Sequence, residues 1–161
     1  MAKGIENIEG RYDIDFELWV VFERARSALS RSRELELAQY GLTLEQAGLL
    51  YTLQENGGSA TNADIALITI RQYNSVTTLV NRMEKIGLLK KQKSADGKRI
   101  IVATTPKGRS IYQKISHTSI KIAFSDLTLE DKERLFTYLS QIVAKSRDML
   151  GMDKKLPFLN Q

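Results

Sequence analysis

Polar side chains that can exchange hydrogen bonds recur between positions 72 and 82, among them Gln72, Asn74, Ser75, Thr77, Thr78 and Arg82. The amides and hydroxyls both donate and accept, and the guanidinium adds a fork of donors. Such groups match the donor and acceptor edges that base pairs display in a major groove, and most of them are short enough to let a helix seat deeply there. A merely solvated helix face is more often covered with Lys and Glu, whereas this one is largely uncharged. Between these residues run Val76, Leu79, Val80, Met83 and Ile86, spaced near the helical period and so on one apolar stripe. The pattern predicts an amphipathic helix over 72–86 with a hydrogen-bonding outer face.

A second chemical group follows at once. Lys90, Lys91, Lys93, Lys98 and Arg99 cluster along a segment that turns at Asp96-Gly97, a hairpin signal, and returns through the β-branched run Ile100-Ile101-Val102-Ala103-Thr104. Gly87 ends the preceding helix where a residue without a Cβ turns left-handed. An edge hairpin protected from aggregation by lysines would carry the same charges. Placed directly after an amide-and-hydroxyl helix, the cations are better explained by phosphate attraction and groove contact.

The stretch Ser75-Val76-Thr77-Thr78-Leu79-Val80-Asn81-Arg82-Met83-Glu84-Lys85-Ile86-Gly87-Leu88, then Asp96-Gly97-Lys98-Arg99, then Thr104-Thr105-Pro106-Lys107-Gly108, resembles the MarR family of bacterial winged helix-turn-helix transcriptional regulators. The likeness extends over residues 12–150. It implies a homodimer on double-stranded DNA, with the helix at 72–86 in the major groove and the wing tip in the adjacent minor groove. The family usually has Arg two residues after the wing Asp. Here Lys98 holds that position and Arg99 follows, so either residue is a candidate for the minor-groove contact; Lys91 is a further DNA-contact candidate. The resemblance also implies repression of a promoter. Many members respond to a small phenolic or other aromatic effector near the junction of dimer and DNA-reading lobes, where Trp19, Phe22, Arg26 and Tyr112 are the candidates. Plain core is the competing reading of that Trp and Phe stripe.

Positioning these groups requires helices, and the chain punctuates them. A long first helix is predicted from about Ile14 to Gln39, closed by Gly41 and carrying Phe16, Trp19, Val20, Phe22 and Leu29. Arg24, Arg26, Arg31 and Arg33 on it read either as a solvated face or as phosphate or ligand contacts. Thr43 with Gln46 forms a capping box that opens a second helix running to Asn56-Gly57-Gly58, and Thr61 with Asp64 caps a short third. Thr105-Pro106 then starts a helix whose buried stripe is expected at Ile111, Ile115, Thr118 and Ile122. After Leu127-Thr128-Leu129 a last helix reaches about Leu150, lined by Leu135, Leu139, Ile142 and Met149 with Phe136, Val143 and Leu150 beside them.

Three long helices with wide apolar faces exceed what so small a core can bury, which calls for a partner subunit. The resemblance implies the same: terminal helices that intertwine. The expected architecture is mainly α with a small β-hairpin wing. One domain spans 1–161, with a winged helix-turn-helix lobe over 43–105 and dimerisation helices over 12–40 and 106–150.

Composition narrows the function further. The chain has 161 residues and a formal net charge of +5, which favours an acidic partner. It contains no cysteine and one histidine, His117, so thiolate chemistry is excluded and neither metal nor cofactor is expected. No P-loop, dinucleotide fingerprint, nucleophile elbow or metal-ligand helix occurs, so no enzyme is predicted. No apolar run is long enough to cross a bilayer, and acids rather than a basic leader occupy the start, so a cytoplasmic protein is expected. A winged helix that binds protein instead of DNA is the alternative. It would expose aromatic or aliphatic anchors where this face offers Asn74, Ser75, Thr77 and Thr78.

Overall fold

The computed structural model describes residues 13–152. Among them the chain forms α1 (Ile14–Ala38), α2 (Leu44–Glu55), β1 (Ser59–Ala60), α3 (Asn62–Thr69), α4 (Tyr73–Lys85), β2 (Leu89–Lys93), β3 (Ile100–Thr104), α5 (Pro106–Lys114), α6 (Thr118–Ala123) and α7 (Leu129–Met149). Mainly helical with a small antiparallel wing, the architecture is the one the sequence predicts.

Both anticipated capping boxes form. The Thr43 hydroxyl accepts from the Gln46 amide while the Gln46 side chain accepts from the Thr43 amide, and Thr61 and Asp64 repeat the exchange at α3. A third box, Thr128 with Asp131, starts α7. The apolar stripe of α4 is buried at Val76, Val80 and Met83 and packs on Leu49, Leu50 and Leu53 of α2 and Ile65 of α3 within one cluster. Ile86 departs from the expected stripe. As the C-cap of α4 it lies past the last full turn and stays exposed.

The sheet has order β1-β3-β2. β2 pairs with β3 from Leu89 opposite Thr104 to Lys93 opposite Ile100. The two-residue β1, absent from the sequence reading, adds Ser59 opposite Ala103 and Ala60 opposite Val102. It ties the wing to the loop after α2, reinforced by the Thr104 amide donating to the Gly58 carbonyl at 3.2 Å.

The helix expected to run from Thr105 through Ile122 is broken. Its N-cap is as predicted, the Thr105 hydroxyl accepting from the Gly108 amide at 3.0 Å. At Ile115, however, the backbone turns extended, ψ +122. The cause lies at the end of α1 and just past it. Amides that a continuous helix would keep for itself are captured there: Ser116 N donates to Tyr40 Oη at 3.0 Å, and Thr118 N to Glu36 Oε1 at 2.8 Å. The Ser116 and Ser119 hydroxyls also donate to Glu36, and Arg33 Nη1 closes the joint on Glu36 Oε2 and Ser116 O at 2.6 Å each. Ile115 is therefore buried, whereas Ile122, beyond the break, is exposed.

Every buried apolar side chain among the described residues lies between Leu37 and Ile115. α1 up to Leu35 and α7 bury no apolar side chain fully, and many stand in solvent: Trp19 is 57% exposed, Phe136 54% and Ile142 57%, with Leu135, Leu139 and Val143 half-buried.

Candidate nucleic-acid interface

α4 is presented by a turn with no slack. Ile70 ends α3 in the left-handed region, φ +54 and ψ +43, the one described non-glycine residue with positive φ. That conformation is costly for a β-branched side chain, and it redirects the chain in the three residues that separate α3 from α4. Gln72 is the N-cap of α4 but makes no side-chain capping bond, and no acid occupies the first turn. The amide of Gln72 and the positive end of the helix dipole are thus left uncompensated by the helix itself.

Asn74, Ser75, Thr78 and Arg82 are exposed along one side of α4, and Gln72 stands at its head. The Thr78 hydroxyl donates to Asn74 O at 3.0 Å, so outward it offers lone pairs only. Thr77 is half-buried. Its hydroxyl accepts from Asn62 Nδ2 at 3.2 Å and donates to Tyr73 O at 3.1 Å, tying α4 to the start of α3. The buried Asn62 Oδ1 beside it has no partner.

Two residues join this face that the sequence reading did not single out. A cleft of about 340 Å³ is lined by Asn74, Ser75, Thr78 and Arg82 together with Arg71 and Glu45. Arg71 Nη1 meets Glu45 Oε1 at 3.0 Å. Arg71 was legible as a cation next to the helix start, but Glu45 comes from α2, and no spacing rule brings it there.

The wing tip is built by its own polar groups. Ser94 N donates to Arg99 O at 2.8 Å and Gly97 N to Ser94 O at 2.8 Å, so the connection spans Ser94 to Arg99 rather than two residues. Asp96 Oδ1 accepts from the Ser94 hydroxyl and from Lys98 N at 3.1 Å. Those bonds, with the nearby Arg99 charge, hold the Asp96 carboxyl below its ordinary range despite slight desolvation. Its oxygen is engaged by the turn, and Lys98 and Arg99 stand exposed beyond it. Lys91 is placed differently. Its Nζ lies 2.7 Å from Glu84 Oε2 and 2.6 Å from Asn81 Oδ1, an ion pair that buttresses β2 against α4. Lys107, behind the wing, donates to Ile86 O at 2.7 Å and caps the end of α4.

The effector candidates fall into two places. Trp19, Phe22 and Arg26 are exposed on α1, with Phe16 and Trp19 ring centroids 5.7 Å apart and Arg26 paired to Glu23 at 3.0 Å. Tyr112 is half-buried in a separate cavity of about 310 Å³ with Leu50, Gln54, Gly57, Gly58, Thr104 and Arg109. Burial, with Tyr51 and Glu55 nearby, holds the Tyr112 phenol above its ordinary value and therefore protonated.

No metal-holding group of His, Asp or Glu occurs among the described residues, and no described helix is long and apolar enough to cross a membrane.

Comparison with known proteins bears on the whole arrangement. The sequence profile of the MarR family matches residues 40–100, which hold α2 to the wing tip. The HTH-type transcriptional regulator YfiV of Bacillus subtilis is 25% identical over 129 residues, covering 77% of this chain and 79% of that protein. Among solved structures, the organohalide-sensing regulator RdhR-CbdbA1625 bound to 2,4-dichlorophenol is 26% identical with a TM-score of 0.70, covering 92% of this chain and 88% of that one. AbsC, a MarR family regulator from Streptomyces coelicolor, shares the fold at a TM-score of 0.76 and 22% identity over 88% of this chain and 99% of its own. A mutant MarR from E. coli, complexed with operator DNA, superposes at 0.71 with 14% identity over 78% of this chain and 93% of that one. The profile of the MarR family thus matches this chain's helix-turn-helix and wing over residues 40–100, and the helices on either side share the fold of a solved MarR family regulator.

Proposed function

We propose that the chain is a sequence-specific DNA-binding regulator, a ligand-responsive repressor that binds a near-palindromic operator as a homodimer in the cytoplasm and carries no catalytic activity. The observation that carries this reading is the exposed, mostly uncharged hydrogen-bonding face of α4 beside a wing tip whose own acid is engaged by the turn. α4 enters the major groove. Gln72, Asn74, Ser75, Thr78 and Arg82 face base edges and flanking phosphates, while Thr77 sets the seating of α4 on α3. Lys98 and Arg99 reach the narrow minor groove beside it, where the negative potential is concentrated. Residues 43–105 form the DNA-reading lobe, and the apolar faces of α1 and α7, left in solvent by a single chain, close against a second copy. Two-fold symmetry then separates the half-sites by about one DNA turn, roughly 10 base pairs. The operator complex of E. coli MarR and the 2,4-dichlorophenol complex of RdhR-CbdbA1625 support a DNA ligand and a small-molecule effector for a chain of this fold.

An electrophoretic shift with genomic fragments tests this directly, followed by Asn74→Ala and Ser75→Ala on the fragment selected. Each is expected to lose about 1–3 kcal/mol of specific binding per half-site contact and little nonspecific binding. Unchanged discrimination between operator and random duplex in both variants would remove α4 from the major groove.

A further inference from the structure

α7 buries one side chain, and it is an arginine. Arg147 is 5% exposed on a helix whose apolar residues Leu129, Phe136, Ile142 and Met149 are all more than half exposed. A guanidinium taken out of water is costly unless its donors are met. Here Nη1 donates to the backbone carbonyl of Leu67 in α3 at 2.7 Å.

That carbonyl is available for a structural reason. In a continuing helix the Arg71 amide would bond to Leu67 O. Because Ile70 turns left-handed, the Ile70 and Arg71 amides both go to Ala66 O instead, the latter at 3.0 Å. Leu67 O is one of the carbonyls a helix end leaves without an intrahelical partner, and it carries the negative end of the α3 dipole. Arg147 supplies both the donor and the positive charge. Its own position is held just as firmly. α7 ends at its turn, with Met152 N donating to Arg147 O at 2.9 Å, Gly151 N to Asp148 O at 3.0 Å, and Gly151 at φ +64.

The bond joins the end of α7 to the segment that launches α4, across 80 residues of sequence. A separate tie, the Glu36 joint, fastens α1 to the start of α6. We infer that Arg147 is a positioning and specificity-determining residue: by locking α7 to α3 it sets the separation of the two α4 helices in a dimer, and hence the operator spacing the regulator accepts. This rests on the dimeric DNA-binding reading above. With the strut intact, binding discriminates between half-site separations. Without it, each lobe keeps its own recognition and the pair tolerates a range of separations.

The test uses full-length protein and duplexes carrying the same two half-sites at the natural separation and at one or two base pairs more or fewer. The wild type is expected to prefer one spacing by about tenfold or more, and Arg147→Ala to flatten that preference to about threefold or less. Half-site discrimination and the salt slope should remain. Arg147→Gln, which keeps an N–H donor, should recover part of the preference. Because the chain has no native cysteine, a spin label on Lys93→Cys reports the distance between wings without DNA. A single narrow distance in the wild type should broaden in Arg147→Ala. An Arg147→Ala dimer with the wild-type spacing profile and the wild-type distance distribution would overturn the inference alone. A wild-type dimer with no spacing preference would likewise overturn the inference alone, whereas a wild-type chain that sediments as a monomer would overturn the dimeric reading and the inference with it. If Arg147→Ala does not fold, Arg147→Gln and Arg147→Lys decide by the same two readouts.

Discussion

At the scale of single residues the most consequential group is Glu36, which no function-directed motif points to. Burial pushes its carboxyl up, but the hydroxyls of Ser116 and Ser119, the Arg33 guanidinium and the Thr118 amide outweigh this and hold it at about 2. A carboxylate whose folded value is depressed adds stability above its unfolded value, near 4.3, and loses that contribution as pH falls through the range between the two. Urea denaturation from pH 7 to pH 3 should therefore show stability falling with acid. Glu36→Gln should be less stable at pH 7 by about 1–3 kcal/mol and flatter with pH, because its amide cannot accept from so many donors. A second prediction separates the wing cations. Lys91 is balanced by Glu84, whose carboxyl that lysine's hydrogen bond holds below its ordinary value, whereas Lys98 and Arg99 are exposed beside an Asp96 carboxylate that bonds to the turn instead of pairing with them. Lys98→Ala with Arg99→Ala should lower the slope of log affinity against log salt by about one to two units, and Lys91→Ala by less than half as much. The count of cations was legible in the sequence. Which of them is already neutralised was not, because Lys91 on β2 meets Glu84 on α4 only where the strand folds back against the helix.

At the scale of elements, what could be read was local and what could not was long-range. Capping boxes at Thr43 and Thr61, the proline start of α5 and the stripe Val76, Val80, Met83 depend on neighbours within a turn or two, and all appear where the spacing puts them. The break at Ile115 depends on Glu36 and Tyr40, about 80 positions away, and β1 on pairing with Ala103. Neither leaves a periodic trace. The approach of α5 to the wing is equally hidden, yet it gives a sharp expectation. A Cβ built on Gly108 would lie 2.3 Å from the Leu88 carbonyl oxygen and 2.9 Å from Thr104 Cγ2. Gly108→Ala should cost about 1–3 kcal/mol in denaturant unfolding even though alanine favours helices. Ile70→Gly runs the other way. Relief of the left-handed strain should exceed the entropy lost and raise stability by about 0.5–1 kcal/mol, read by the same measurement.

At the scale of the molecule, a single chain leaves too much apolar surface on α1 and α7 to stand alone. Sedimentation at micromolar concentration should give about twice the chain mass, and Phe136→Glu with Ile142→Glu should shift it toward the monomer and weaken operator binding by about a hundredfold or more. The confinement of the buried core between Leu37 and Ile115 carries a consequence in time rather than space. During synthesis the core is complete once Ile115 has emerged, while α7 has yet to be made, so each reading head folds on its own chain before a partner is required. In the proposed dimer, subunits are then expected to trade without unfolding their heads. On dilution, backbone amides of α7 and the first half of α1 should lose protection from hydrogen exchange while those of α2 to α5 keep theirs. Two such regulators made in one cell, with compatible terminal helices, would mix their heads on a timescale set by helix release alone.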